Sequence, residues 1–326
     1  MIFKDRDLPI SISKLQSLLR RINKNHPQYK TIKNDLLKKM AGFKGEQYTD
    51  YPLSFLPQYE YFILHDLRIP YKQTFFQIDT LLLSKRFFLI LEIKNIAGTL
   101  IFDQEFHQLI RIVDGKEEAL SDPITQVSRH EYLLKKWLSE KFHIIPPIES
   151  FIIISHPQTL VKTHSKSTNI SNIVIRREYL PKAISKLVQK HKSELLTEKE
   201  IKKIARHLKK AHTPLDFDVL EKYQIRREEI IGGIQCTSCE RTSIKRGFGT
   251  WYCTLCKSAD KHAHMEAIKD YVLLLNNEVT NKEIRDFLMI DNIHLVKRIL
   301  MDVAEETTGT TKGRKYLINE ESILKK

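Results

Sequence analysis

Apolar residues recur along this chain with two different periods. Leu15, Leu18, Leu19 and Ile22 stand at helical spacing with Lys and Arg between them, which predicts helix over residues 1–40, a cover with a solvated basic face or, alternatively, a basic surface near nucleic acid. A second short helical pattern begins at Leu36 and Leu37, and Glu46 opens an irregular helix or helix start through Tyr48, Leu53 and Leu56, interrupted by Pro52 and Pro57. From there the pattern changes. Short runs rich in Ile, Leu, Val and Phe at 62–64, 77–83, 87–93, 98–102, 109–113, 151–154 and 173–175 have the length and composition of strands. Asp114-Gly115 is a turn. Asp122-Pro123 opens a helix that runs to about Glu140, with proline at a position where its missing N–H costs nothing. Helix returns over 181–212, where Thr197 and Glu200 form a capping box. Strands mixed with helices make residues 40–180 an α/β unit.

The runs 77–83 and 87–93 are separated only by Ser84-Lys85-Arg86, which reads as a hairpin. With a symmetric turn, paired residue numbers sum to a constant, and the turn sets Asp79 opposite Glu92 with Cβ atoms about 5 Å apart. A bulge at the turn would shift this register by one. Lys94 follows Glu92 by two residues and so shares its face. Two carboxylates about 5 Å apart repel by roughly 3 kcal/mol at an effective dielectric near 20. Strands this apolar are buried on both sides, so the pair implies a compensating cation. Mg²⁺ suits such oxygen donors and keeps positions open for water and phosphate, and Lys94 adds a charge for a water nucleophile or a developing phosphorane. The chemistry is metal-assisted phosphodiester hydrolysis. Glu-x-Lys alone is often a surface ion pair; the acid on the partner strand is what sharpens the reading.

Composition narrows the partner. Of 326 residues, 41% are hydrophobic, enough for packed cores, and 54 Lys and Arg stand against 40 Asp and Glu, a formal charge of +14. That excess suits a polyanion, DNA or RNA, although ribosome-associated and membrane-surface proteins share it. There is no apolar run long enough to span a membrane and no apolar signal core near Met1, so the expectation is a soluble, cytoplasmic protein. All four cysteines, Cys236, Cys239, Cys253 and Cys256, fall in two C-x-x-C pairs. Such pairs bring four thiolates to one structural Zn²⁺ with no open position; an iron or redox site is the alternative. Ile244, Phe248 and Trp251 are the expected small core of a zinc ribbon, and His262 and His264 are rival ligands or ordinary helix residues.

The order and spacing of Gly45-Glu46, Ile78-Asp79, Glu92-Ile93-Lys94-Asn95 with Gly98, and Asp122-Pro123-Ile124-Thr125-Gln126 resemble the nuclease-related domain family, NERD, of the PD-(D/E)xK or restriction-endonuclease-like superfamily. The resemblance covers about residues 39–175. It implies a restriction-endonuclease-like mixed sheet flanked by helices. It also implies Asp79 and Glu92 as ligands of Mg²⁺ (or Mn²⁺), Lys94 as the catalytic lysine, Glu46 as an acid on the preceding helix, and Gln126 as a polar residue lining the site. Related exonucleases carry a Tyr four residues after such a Gln; here His130 stands at that position and Tyr132 two further on, so that role is not carried over.

The C-terminal pattern resembles a winged helix. Met265, Ile268, Tyr271, Val272 and Leu275 make one helix, the Thr280–Glu283 capping box opens a second, and Asp291 caps a third whose outward residues include Asn292, His294, Lys297 and Arg298. A basic hairpin tip at 309–315 leads into the strand Tyr316-Leu317-Ile318. A helical protein-docking module is the other reading of this segment. The expected organisation is a helical segment at 1–38, a nuclease-like domain at 39–180, a helical linker at 181–231, a four-cysteine zinc ribbon at 232–259 and an α+β winged helix at 260–326. Together these parts describe a metal-dependent nuclease acting on nucleic acid, with DNA the expected substrate. The alternative is a non-cleaving nucleic-acid-binding or regulatory protein on a nuclease-like fold.

Overall fold

The computed structural model of the chain describes all residues except 58, 143–144, 164–169, 311–312, 320–322 and 324–326. It has two compact units, Met1–Leu8 with Lys38–Leu215, and Pro9–Leu37 with Asp216–Lys326. The chain opens with a short strand, β1 (Ile2–Lys4), and three helices, α1 (Ile10–Arg21), α2 (Tyr29–Gln47) and the single-turn α3 (Asp50–Leu53). The sequence pattern reads residues 1–40 as helix. Strand β1 departs from it because three residues show no period, and parallel pairing with a later strand is what extends them. Glu46 lies in the last turn of α2 rather than at a helix start.

In the first unit follow β2 (Phe62–Tyr71), β3 (Thr74–Leu83), β4 (Phe88–Lys94), β5 (Thr99–Asp103), β6 (Gln108–Val113), β7 (Lys116–Ser121), α4 (Pro123–Ser139), β8 (Ile148–Ile154), β9 (Leu160–Thr163), α5 (Ile170–Ile173), β10 (Val174–Arg176), α6 (Leu180–Lys190) and α7 (Glu198–Ala211). The main sheet has the order β1-β2-β3-β4-β8-β10. It is mixed: β2, β3 and β4 run antiparallel in turn, while β1 pairs parallel to β2, and β8 lies parallel to both β4 and β10. A second sheet runs β7-β6-β5-β9.

Helices cover both faces of the main sheet. On one, Ile90 and Leu81 pack with Val127, Leu134 and Trp137 of α4 and with Ile201, Ile204 and Leu208 of α7. On the other, Leu89, Leu91 and Ile93 pack with Ala183, Ile184 and Leu187 of α6. Apolar residues on both faces explain why β3 and β4 show no polar alternation. Asp122 caps α4 by accepting from the backbone N–H of Ile124 and Thr125, with Pro123 at the first helical position, and the Thr197–Glu200 capping box is formed at α7. No described helix is long and apolar enough to cross a membrane.

In the second unit, Leu15, Leu18 and Ile22 of α1 pack with Val219 of α8 (Val219–Lys222) and with Tyr223 and Ile225. The expected solvated basic face of α1 is not there. Arg21 is 1% exposed, and its guanidinium donates to Asp270, itself fully buried, at 2.7 Å. Lys14 is buried as well and pairs with Asp216. Apolar spacing cannot tell a solvated cation from one that meets a distant acid. A small antiparallel ribbon of β11 (Ile244–Arg246), β12 (Trp251–Cys253) and β13 (Ala259–Asp260) follows. Then come α9 (Ala263–Leu274), β14 (Glu278–Thr280), α10 (Asn281–Leu288), α11 (Ile293–Val303), β15 (Glu306–Thr308) and β16 (Lys315–Leu317), with a sheet of order β14-β16-β15. The Thr280–Glu283 box caps α10 as the sequence expects. The cap of α11 is Asn292, which accepts from the Leu295 N–H, rather than Asp291. His294, Lys297 and Arg298 are exposed on α11. Thr311 and Lys312 of the expected basic hairpin tip lie outside the described residues.

Candidate active site

The site grows from the β3–β4 hairpin. Ser84 closes the turn without glycine: its Oγ accepts from the backbone N–H of Arg86 and Phe87, and its own N–H donates to the Phe87 carbonyl at 3.1 Å. The register that follows pairs Leu83 with Phe88, Leu81 with Ile90 and Thr80 with Leu91, so paired numbers sum to the expected constant. The ladder stops there. Asp79 instead turns a carboxylate oxygen onto the backbone N–H of Ile93 at 2.7 Å. On the other side, the β2–β3 pairing runs from His65–Thr80 to Leu67–Ile78 without an Asp66–Asp79 pair, and Asp66 takes a φ of 46°. Asp tolerates this left-handed region better than most residues. The break leaves Asp79 at an irregular point of an otherwise continuous sheet.

Glu92 and Lys94 continue the face of β4 that carries Phe88 and Ile90. Glu92 is 3% exposed. The Lys94 ammonium bridges Glu92 Oε1 at 2.9 Å and Gln126 Oε1 at 3.0 Å. Gln126 comes from the first turns of α4, which packs on this same face through Val127 and Leu134. One turn later, His130 is buried with Nδ1 3.5 Å from Glu92 Oε2. That separation is too long for a well-made hydrogen bond, and both atoms are buried without another hydrogen-bond partner.

The electrostatics are those of crowded acids. Burial raises the Asp79 carboxyl well above the usual carboxylate range, and the charges of Glu92 and Glu46 push it further. Glu46 is raised to about 7, first by burial, with Arg6 pulling the other way. Burial also opposes ionisation of Glu92, but His130 and Lys94 outweigh it and hold the group below its ordinary value. A proton or a cation near Asp79 relieves this repulsion. The donors are hard oxygens, and one of them, Glu92 Oε2, is buried without a hydrogen bond, which fits a divalent cation of the Mg²⁺ type.

Two residues at the site were not picked out from the sequence. Arg6, with a side chain 4% exposed, donates to Glu46 at 2.6 Å and to Asp50 at 3.1 Å, and touches His65 Nδ1 and Thr80 Oγ1 at 2.8 and 3.1 Å. Nothing local marks an N-terminal Arg as the counter-charge of an acid forty residues on. His130 did carry a signal, its i+4 spacing from Gln126 on one helix face. Tyr132, the other residue weighed there, is 60% exposed. Gly45 and Asn95 lock α2 to the end of β4. Asn95 Nδ2 donates to the Ala41 carbonyl at 2.7 Å, and a Cβ on Gly45 would stand 2.2 Å from Asn95 Cβ. Gly98 follows with a φ of 108°, which strains any other residue.

Residues 41–155 match the family model NERD, nuclease-related domain. This segment is a nuclease-related domain. It spans α2 from Ala41 through β8 and contains Glu46, Asp79, Glu92, Lys94, Gln126 and His130. No curated protein and no solved structure matches the chain.

Outside the NERD domain, Cys236, Cys239, Cys253 and Cys256 form a metal-ligand cluster, with all four sulfurs within 4.8 Å of one another. The Sγ atoms of Cys236 and Cys256 are 3.5 Å apart and those of Cys239 and Cys253 3.6 Å. Tetrahedral zinc with Zn–S near 2.3 Å requires about 3.8 Å, so the cluster can bind zinc with little adjustment. The Ser258 hydroxyl contacts both Cys236 and Cys256, and Ser243 contacts Cys253. These contacts, with backbone N–H donors, lower Cys253 to about 5 and Cys236 to about 7, while against the Arg241 backbone N–H, burial and the neighbouring thiols push Cys239 up to about 12; a bound metal requires the thiolate form. Trp251 is buried and Ile244 packs beside it, but Phe248 is fully exposed and is no part of the ribbon core. His264 is not a ligand: its Nδ1 accepts from Trp251 Nε1 at 2.9 Å.

Proposed function

We propose that the protein is a Mg²⁺-dependent nuclease that hydrolyses phosphodiester bonds of nucleic acid, with DNA the expected substrate. The observation that carries the reading is the meeting of Asp79, Glu92 and Lys94 on one face of the central β3–β4 pair inside a NERD domain, with a buried carboxylate oxygen on Glu92 that makes no hydrogen bond. Asp79 and Glu92 would hold the cation, which when bound supplies Lewis-acid activation of water and charge neutralisation at phosphate. Lys94 is the group placed to stabilise negative charge that develops on the phosphoryl oxygens. Gln126 fixes the Lys94 ammonium through its Oε1, and Glu46 adds negative potential at Asp79 while Arg6 holds its carboxylate in place. The four cysteines would carry a structural Zn²⁺. The exposed face of α11, with His294, Lys297 and Arg298, would supply contacts to the nucleic-acid backbone in the manner of a winged helix.

The test is cleavage of plasmid and oligonucleotide substrates with Mg²⁺ or Mn²⁺, against EDTA, comparing the wild type with Asp79→Asn and Lys94→Ala. Cation-dependent cleavage lost in both variants supports the assignment. Equal cleavage by all three would mark a contaminant and remove the enzymatic reading, leaving a non-cleaving nucleic-acid-binding protein.

A further inference from the structure

The segment just after Glu46 exposes an unusual set of rings. Tyr48, Tyr51, Phe55 and Tyr59 are 47%, 72%, 61% and 91% exposed. Tyr51 and Phe55 meet edge to face with centroids 4.9 Å apart, and the Arg177 guanidinium lies 5.1 Å from the Tyr48 ring centroid. Large apolar side chains clustered on a surface mark an interaction site. Beside them is a cavity of about 320 Å³ whose lining includes Leu53, Leu56, Tyr59, Asp50 and His65. It is largely apolar with a few polar groups, the make-up of a small-ligand or base pocket. Asp50 and His65 are also partners of Arg6, the residue that holds Glu46. The aromatic segment therefore adjoins the candidate active site. Helix α6 packs against Leu53 and exposes Lys182 and Lys186, whose ammonium groups lie 5.8 and 5.4 Å from the Tyr179 ring centroid.

Rings beside cations, next to a phosphodiester-cleaving site, match what unpaired nucleotides offer: flat π faces joined by phosphates. Bases within a duplex are stacked on one another and cannot present those faces. We propose that Tyr51, Phe55 and Tyr59 form a base-stacking platform, and that nucleic acid is engaged at this site as a single strand. Arg177, Lys182 and Lys186 face its phosphates, and the neighbouring cavity takes one splayed base. This rests on the nucleic-acid reading of the NERD domain and names the form of its substrate.

The experiment is fluorescence anisotropy of the zinc-loaded full chain with a mixed-sequence single-stranded DNA oligonucleotide and with its duplex, without added Mg²⁺ or Mn²⁺ so that nothing is cut. Tyr51→Ala, Phe55→Ala and Tyr59→Ala should each weaken single-strand binding by roughly tenfold, in line with stacking losses on alanine substitution, and leave duplex binding unchanged. Tyr59→Phe should keep wild-type single-strand affinity, because stacking needs the ring and not the hydroxyl. Unchanged single-strand affinity in all three alanine variants, as expected of a protein-docking patch, overturns the proposal. So does an equal loss on single strand and duplex. Because no cleavage is measured, absence of nuclease activity leaves this test intact, and an active nuclease whose alanine variants bind normally refutes the platform alone.

Discussion

Gly45 and Gly42 lie three residues apart in α2, and the fold assigns opposite signs to their replacement by alanine. In a helix interior, Gly→Ala ordinarily stabilises by about 1 kcal/mol, because alanine loses less backbone freedom on folding. A Cβ on Gly42 meets nothing within 4 Å, so Gly42→Ala should gain about 0.5–1 kcal/mol. A Cβ on Gly45 would stand 2.2 Å from Asn95 Cβ and 2.8 Å from both Asn95 Cγ and Ser155 Oγ. Relieving that overlap moves α2 or the end of β4, an overpacking cost of about 1–3 kcal/mol against the propensity gain. With a contact this short the upper part of that range applies, so Gly45→Ala should lose about 1–2 kcal/mol net. The two variants should differ by about 1.5–3 kcal/mol. Urea unfolding of the two single variants and the wild type measures it. The shift in Gly45→Ala should also weaken the Asn95–Ala41 hydrogen bond and displace Glu46, lowering cleavage, while Gly42→Ala should cleave as the wild type does. Equal stabilisation by both substitutions would refute the close approach of α2 to β4.

Three more outcomes follow from the second unit. Asp270→Asn leaves the buried Arg21 without its counter-charge and should cost roughly 3–5 kcal/mol in denaturant unfolding; a loss under about 1 kcal/mol would contradict a buried ion pair there. His264 is lowered to about 4, chiefly by burial, and its neutral Nδ1 accepts from Trp251. A depressed imidazole contributes stability above its unfolded value near 6.5, lost as pH falls toward 4. The melting midpoint should therefore drop over that window, and His264→Phe should flatten the drop; an identical pH dependence in the variant would sink the assignment. Elemental analysis should find one zinc per chain, lost together with ribbon structure in Cys253→Ser; a metal-free wild type with an unchanged ribbon would exclude a structural ion.

The hairpin was legible because its information is local. Ser84 sets the turn, period two sets the face, and the summed register brings Asp79 toward Glu92. The capping residues Asp122, Thr197 and Thr280 were legible for the same reason, since each acts within its own first turn. Long-range electrostatics were not. Arg6 with Glu46, and Arg21 with Asp270, are pairs separated by 40 and 249 residues, and no pattern in the intervening sequence links them. The end of α2 was misread because Glu46 reads as a helix opener, whereas it lies in the last turn of α2, where Gly45 serves close packing against Asn95. Phe248 was assigned to the ribbon core on residue type, yet Trp251 and Ile244 fill that role without it. His130 fell out of view because the resemblance sets a Tyr at its position, although its spacing from Gln126 already placed it on the site's face.

The central assignment is a divalent cation held between Asp79 and Glu92. Titration of the zinc-loaded protein with Mn²⁺, followed by electron paramagnetic resonance of the free ion, tests this without any assumption about substrate. The wild type should bind Mn²⁺ in competition with Mg²⁺, Asp79→Asn and Glu92→Gln should lose that binding, and Lys94→Ala should retain it. Identical Mn²⁺ binding by the wild type and both acid variants would contradict the assignment of this site.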